Sequence, residues 1–160
     1  MSVTAASQIF AKCLMVAANT YNVPPAVLMG IYHVEGGRVG MQSGPNINGT
    51  FDLGPMQVNT VWLPHLMREW RVDRRTAHYW VMNDACTNVG VAAWILRQKI
   101  NEEEGSLARG IAAYHSRTMP LGKAYLRKVL KAMISHGLLK IEPKKGVPLA
   151  ARKRLETVER

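Results

Sequence analysis

The feature that most constrains this chain is a carboxylate on the apolar side of a helix, followed by two glycines. In the run Val27 to Glu35, Ile31 lies four residues before Glu35 and Leu28 seven, so the acid shares the stripe that should face a core. Burying a carboxylate is costly unless it is paired, so Glu35 is expected to hold its proton to an unusually high pH. A protonated carboxyl at the lip of a core is suited to general acid catalysis. Gly36-Gly37 should end the helix and leave space beside the acid.

The rest of the chain reads as helical. Residues 5–21 carry Ile9, Phe10, Cys13, Leu14, Ala17 and Tyr21 at helical spacing, and Pro24-Pro25 opens the helix that ends at Glu35. Residues 40–54 are rich in Gly and Asn, and Asn48-Gly49 is a hairpin signal; a short β-hairpin or extended loop is expected there. Asn59-Thr60 and Asp73 are candidate caps of two further helices, and Asn83-Asp84 precedes a third. The last of these has the stripe Cys86, Val89, Ala93, Leu96 and Ile100. Leu107 to Tyr114 forms another helix. A final one from about Pro120 carries Leu121, Tyr125, Leu126, Val129, Leu130, Met133 and Ile134, stopping at Gly137. The fold class is therefore mainly α, one domain over residues 1–139. Residues 140–160 are basic and poor in apolar side chains, and are expected to form a flexible tail.

The net charge of +10 points to a polyanionic partner, and charge alone does not choose among nucleic acid, acidic lipid and acidic wall polymer. No apolar run reaches the length of a membrane span, and Lys12 interrupts the only stretch resembling a signal-peptide core. Histidines 33, 65, 78, 115 and 136 lack ligand spacing, so no metal and no cofactor is expected. Phosphate-binding loops, zinc-protease helices and nucleophile elbows are absent. Cys13 and Cys86 suffice for one bridge, and two buried thiols are an equal alternative. Asp52, between Phe51 and Leu53, is the other carboxylate with suggestive surroundings. Two carboxylates across a cleft are the minimal apparatus for cleaving a glycosidic bond, although Asp52 is equally able to cap a turn through backbone N–H groups, the reading preferred from its local sequence.

Three blocks in order, Glu35-Gly-Gly, Asn48-Gly-Thr-Phe-Asp52-Leu-Gly54-Pro-Met56-Gln57-Val-Asn59 and Ala113-Tyr114-His115, resemble the motifs of lytic transglycosylases of the goose-lysozyme-like (SLT) superfamily. In particular they resemble the small enzymes that accompany secretion systems, conjugation machines and pili. The likeness covers about residues 8–130. It implies a lysozyme-like helical domain that cleaves the MurNAc–GlcNAc β-1,4 bond of peptidoglycan, with Glu35 as the single catalytic acid/base. Carried over in the same way, Gly54, Met56, Gln57 and Asn59 line the sugar cleft, and Tyr114 reaches towards Glu35. Asp84-Ala-Cys86-Thr-Asn88 with an early Cys13 also resembles these proteins, which often bridge such a pair.

The product implied is a 1,6-anhydro-muramic end, formed when the C6 hydroxyl of the sugar attacks in place of water, helped by its high effective concentration. The implied setting is the periplasm or cell envelope, with glycan strands and components of a secretion, conjugation or pilus apparatus as partners. A monomer without a nucleic-acid role is expected. Pro55, Gly36 and His115 depart from the family's usual Leu, Ser and Asn. The Glu35–Asp52 separation followed by Gly-x-x-Gln-x-Asn also matches animal lysozymes, which keeps a hydrolytic muramidase as the alternative. A non-catalytic wall-binding module is the rival from another class.

Overall fold

The structure, a computed structural model, describes residues 3–141. Helix α1 (Val3–Tyr21) is followed at Asn22 by a left-handed residue, and α2 (Pro25–Glu35) begins with proline at its first position, where no helical N–H bond is lost. Gly36 ends α2 in the left-handed conformation, φ 62°, and its N–H bonds to the carbonyl of Tyr32.

The expected hairpin is present, with a strand more than the sequence suggested. Strands β1 (Gln42–Ser43), β2 (Asp52–Leu53) and β3 (Val58–Asn59) form an antiparallel sheet in that order. Gln42 pairs with Leu53 and Ser43 with Asp52; Asp52 pairs with Asn59 and Leu53 with Val58. Asn48-Gly49 sits in the β1–β2 connection, which is longer than a two-residue turn: Asn46 donates its N–H to the carbonyl of Thr50 and closes the loop around the pair.

A 3-10 turn (Thr60–Trp62) leads into α3 (Leu63–Trp70), followed by α4 (Arg74–Asn83), α5 (Ala85–Glu102), α6 (Leu107–His115) and α7 (Met119–Ser135). The anticipated caps at Asp73 and Asn59 are made, and Asp84 and Ser106 add two more. Asp73, Asp84 and Ser106 accept from the backbone N–H groups of Thr76, Thr87 and Arg109, and Asn59 caps the 3-10 turn by accepting from Val61.

Helix α5 is the axis of the fold, packed against α1, α4 and α6, with Val89, Ala92, Ala93, Leu96 and Ile100 buried. Leu28 and Ile31 of α2 are fully buried, and α2 lies against α7, where Val129 and Met133 face it. Gly30 permits that approach, since a Cβ there would lie 2.6 Å from Cγ of Met133. The stripe read on α7 is too broad. Only Gly122, Tyr125, Val129 and Met133 are buried, whereas Leu121, Leu130 and Ile134 are exposed, as is Ile9 on α1. One side of α7 meets protein, so the flanks of its apolar arc stay in water. Cys13 and Cys86 form a disulfide with Cα atoms 4.8 Å apart, tying α1 to the first turn of α5. No helix among the described residues is long and apolar enough to cross a membrane. The basic tail anticipated from residue 140 falls, apart from Lys140 and Ile141, outside the described residues.

Candidate active site

Glu35 is the last residue of α2, and one carboxylate oxygen, Oε1, accepts a hydrogen bond of 2.5 Å from the hydroxyl of Tyr125 on α7. Burial raises its pKa above the usual value of 4.5. The Tyr125 hydrogen bond opposes that shift, the charge of Asp52 adds to it, and Lys128 opposes it. Desolvation wins, so the acid keeps its proton further up the pH scale than an exposed glutamate. Tyr125 is itself buried and its own pKa is driven strongly upwards, so it stays a hydroxyl donor.

The facing wall comes from the sheet. Asp52 on β2 accepts from the side-chain amide of Asn46 on Oδ2 (3.0 Å) and from that of Asn59 on Oδ1 (2.8 Å). Both amides also donate to Oγ1 of Thr50, at 3.1 and 2.9 Å. The turn-cap reading of Asp52 is therefore corrected: its partners are side-chain amides, because antiparallel pairing with Asn59 places that side chain directly beside it. The arrangement supports a fixed negative charge facing the cleft.

The Gly54–Gln57 turn joins β2 to β3 and is locked from behind. Asn88 of α5, fully buried, donates to the carbonyls of Leu53 (2.8 Å) and Val81 (2.9 Å) and accepts from the N–H of Met56 (2.8 Å). Gly54 has φ 68°, and a Cβ on it would lie 2.5 Å from Nδ2 of Asn88. Space beside Gly37 is filled by the same turn: a Cβ there would collide with the carbonyl oxygen of Gly54 and lie 2.8 Å from Nε2 of Gln57. The second glycine after the acid thus admits the protein's own turn.

These contacts separate the expected sugar-binding residues into two groups. Asp52, Gln57, Asn59, Tyr114 and His115 line one cleft with Glu35, of about 420 Å³. Gly54 and Met56 do not. Met56 is wholly buried and Gly54 packs against α5, because the turn points them into the protein while Gln57, at φ 48°, faces outward with Nε2 bonded to the carbonyl of Gly54. Tyr114 shares the cleft with Glu35, whose charge adds to the burial that raises the tyrosine's pKa. Its hydroxyl donates to the carbonyl of Met56 at 3.4 Å, whereas the hydroxyl on Glu35 belongs to Tyr125. The imidazole of His115 stacks on the Tyr125 ring, 4.7 Å between centroids, and burial lowers its pKa.

Sequence reasoning missed Tyr125, Asn46 and Thr50 as site residues and Asn88 as their support. Trp62 also lines the cleft, alongside Val61 and Ile95. The signal for Asn88 was available, since a polar residue beside a helix's apolar stripe must find partners. Among the described residues no group of three or more His, Cys, Asp or Glu side chains is placed to hold a metal.

A helical domain with a small sheet, and a polar cleft between a buried glutamate of raised pKa and a hydrogen-bonded aspartate, is lysozyme-like in both fold and site. The chain belongs to the transglycosylase SLT domain family, whose model matches residues 12–132. It is thereby a peptidoglycan lytic transglycosylase, an enzyme that cuts wall glycan without hydrolysis. No curated protein matches it.

Proposed function

We propose that Glu35 is the acid and then the base of this reaction, and that the product carries a 1,6-anhydro-muramic end. The observation that carries the reading is the 2.5 Å bond from Tyr125 to Oε1 of an acid whose pKa is raised by burial. With Oε1 occupied, the proton resides on Oε2, and it passes to the glycosidic oxygen as the C1–O bond of the muramic sugar breaks. Positive charge builds on that sugar, and the Asp52 carboxylate, held by Asn46 and Asn59, stabilises it electrostatically. Glu35, now charged, takes the proton of the C6 hydroxyl as its oxygen bonds to C1. The acid is restored and no water is consumed. Gln57, Asn59 and His115 supply hydrogen bonds to sugar substituents, and Tyr114 fixes the turn that carries Gln57.

Such an enzyme acts in the periplasm or envelope. Its single compact domain suits local opening of the wall for a secretion, conjugation or pilus apparatus. The test is mass spectrometry of the products from purified peptidoglycan treated with wild type and Glu35→Gln. Anhydro-muropeptides from wild type alone support the assignment. Hydrated reducing ends would overturn it and make Asp52 part of a hydrolytic mechanism.

A further inference from the structure

Helix α7 buries Gly122, Tyr125, Val129 and Met133 on one side and leaves its other side open. The open side carries Lys123, Arg127 and Lys131 at successive steps of four, all exposed, beside the exposed Met119, Leu130 and Ile134. By helical geometry the three apolar side chains fall within one arc of about 60°, and the cations lie within and just beyond it. Past the helix end, Leu139, Lys140 and Ile141 are exposed as well. From Gly105 to Ile141 the chain contains no Asp or Glu. The ion pairs among the described residues join Lys99, Arg109 and Arg117 to Glu102, Glu103 and Glu104, and none involves α7. Like charges four residues apart repel along a helix, so the stripe lacks any counter-charge of its own.

We propose that the outer face of α7 docks on an anionic phospholipid bilayer, with the helix lying in the plane of the headgroups. Met119, Leu130 and Ile134 enter the boundary between headgroups and acyl chains. Lys123, Arg127 and Lys131 run their stems along the same boundary and place their charges among the lipid phosphates. Nucleic acid or an acidic wall polymer would answer the charges and leave the apolar side chains in water. A protein partner fits less well, since protein interfaces are depleted in Lys and enriched in aromatic rings, and the one aromatic residue of α7, Tyr125, is buried. None of the docking side chains lines the cleft, so docking is independent of the role of Glu35.

The experiment mixes the full chain with vesicles of phosphatidylglycerol and phosphatidylethanolamine and measures the partition coefficient by co-sedimentation. Phosphatidylcholine vesicles are the neutral reference, and labelled polyglutamate, followed by anisotropy, is a polyanion without an apolar phase. Binding should favour the anionic vesicles and weaken as salt is raised. The triple variant Lys123→Gln, Arg127→Gln, Lys131→Gln should partition about a hundredfold less, from about fivefold per charge. Leu130→Ser with Ile134→Ser should partition about tenfold less and bind polyglutamate as wild type does. Both variants change exposed residues only, so their urea midpoints should match wild type. Unchanged partitioning of the triple variant would place membrane affinity elsewhere in the chain and overturn the proposal. Unchanged partitioning of the serine variant would make the face a site for polyanions at large, which also refutes a bilayer. Equal binding to neutral vesicles, or none to either kind, would overturn it outright.

Discussion

Tyr125 and Glu35, ninety positions apart in the chain, meet through a 2.5 Å hydrogen bond between α7 and the end of α2. That bond favours the charged form of Glu35, against the larger effect of burial. In Tyr125→Phe the opposing influence is gone, so the pKa of Glu35 rises further. Activity that needs the protonated acid then persists to higher pH, and the alkaline limb of kcat/KM moves upwards. Turnover at the optimum falls about tenfold through lost positioning. An unmoved limb would mean that Tyr125 does not touch the working acid.

Asp52→Asn should shift the same limb the other way. The Asp52 charge raises the pKa of Glu35, so removing it lowers that pKa and brings the limb down. The new side chain also keeps only one acceptor oxygen, so one of the two amide donors, Asn46 or Asn59, now faces a donor where an acceptor stood. Turnover should drop about a hundredfold if Asp52 stabilises charge in the transition state. Full activity in the variant would remove Asp52 from the mechanism.

Glu35 also makes stability depend on pH. Its folded pKa lies above the ordinary 4.5, so its contribution is fully present below 4.5 and is lost as pH rises through the folded value. Glu35→Gln should therefore unfold in urea at a higher midpoint than wild type at pH 8, with the difference shrinking towards pH 4. Equal differences at both pH values would show that the acid is not buried in solution.

Asn88→Ala removes one acceptor and two donated bonds at a fully buried site. The Met56 N–H loses its partner, and the expected cost is about 3 kcal/mol in urea unfolding. Activity should fall too, because the turn carrying Gln57 is freed from α5.

The Cys13–Cys86 bridge closes a separation of 73 residues. The unreduced protein should yield no titratable thiol, and Cys13→Ala with Cys86→Ala should lower stability by about 4 kcal/mol on the loop-entropy model. Two free thiols in the native protein would contradict the bridge.

Helices were legible because their signals are local: Asp73 caps the backbone three residues on, and the α5 stripe repeats at helical steps. The third strand was not, since Val58–Asn59 is too short to show alternation. Glu35 was found because a carboxylate on an apolar stripe is anomalous. Tyr125 escaped for the converse reason: its ring belongs to the core, and periodicity reports the ring and is blind to the hydroxyl. Met56 and Gln57 were grouped because they are adjacent, but in a tight turn adjacent side chains point opposite ways, and neither the strand period nor the helix period separates them.

The acid is delivered by the second helix and its hydroxyl partner by α7, brought together where Gly30 lets α7 settle on α2. A ribosome that has not yet released residues 119–135 has therefore made a chain with the acid, the sheet and the cleft-lining amides, but without the hydroxyl that bonds to the acid. Under the proposed mechanism, a molecule clipped before α7 is a poor wall-cutter. For an enzyme whose substrate keeps the cell from bursting, that order of assembly acts as a safety catch.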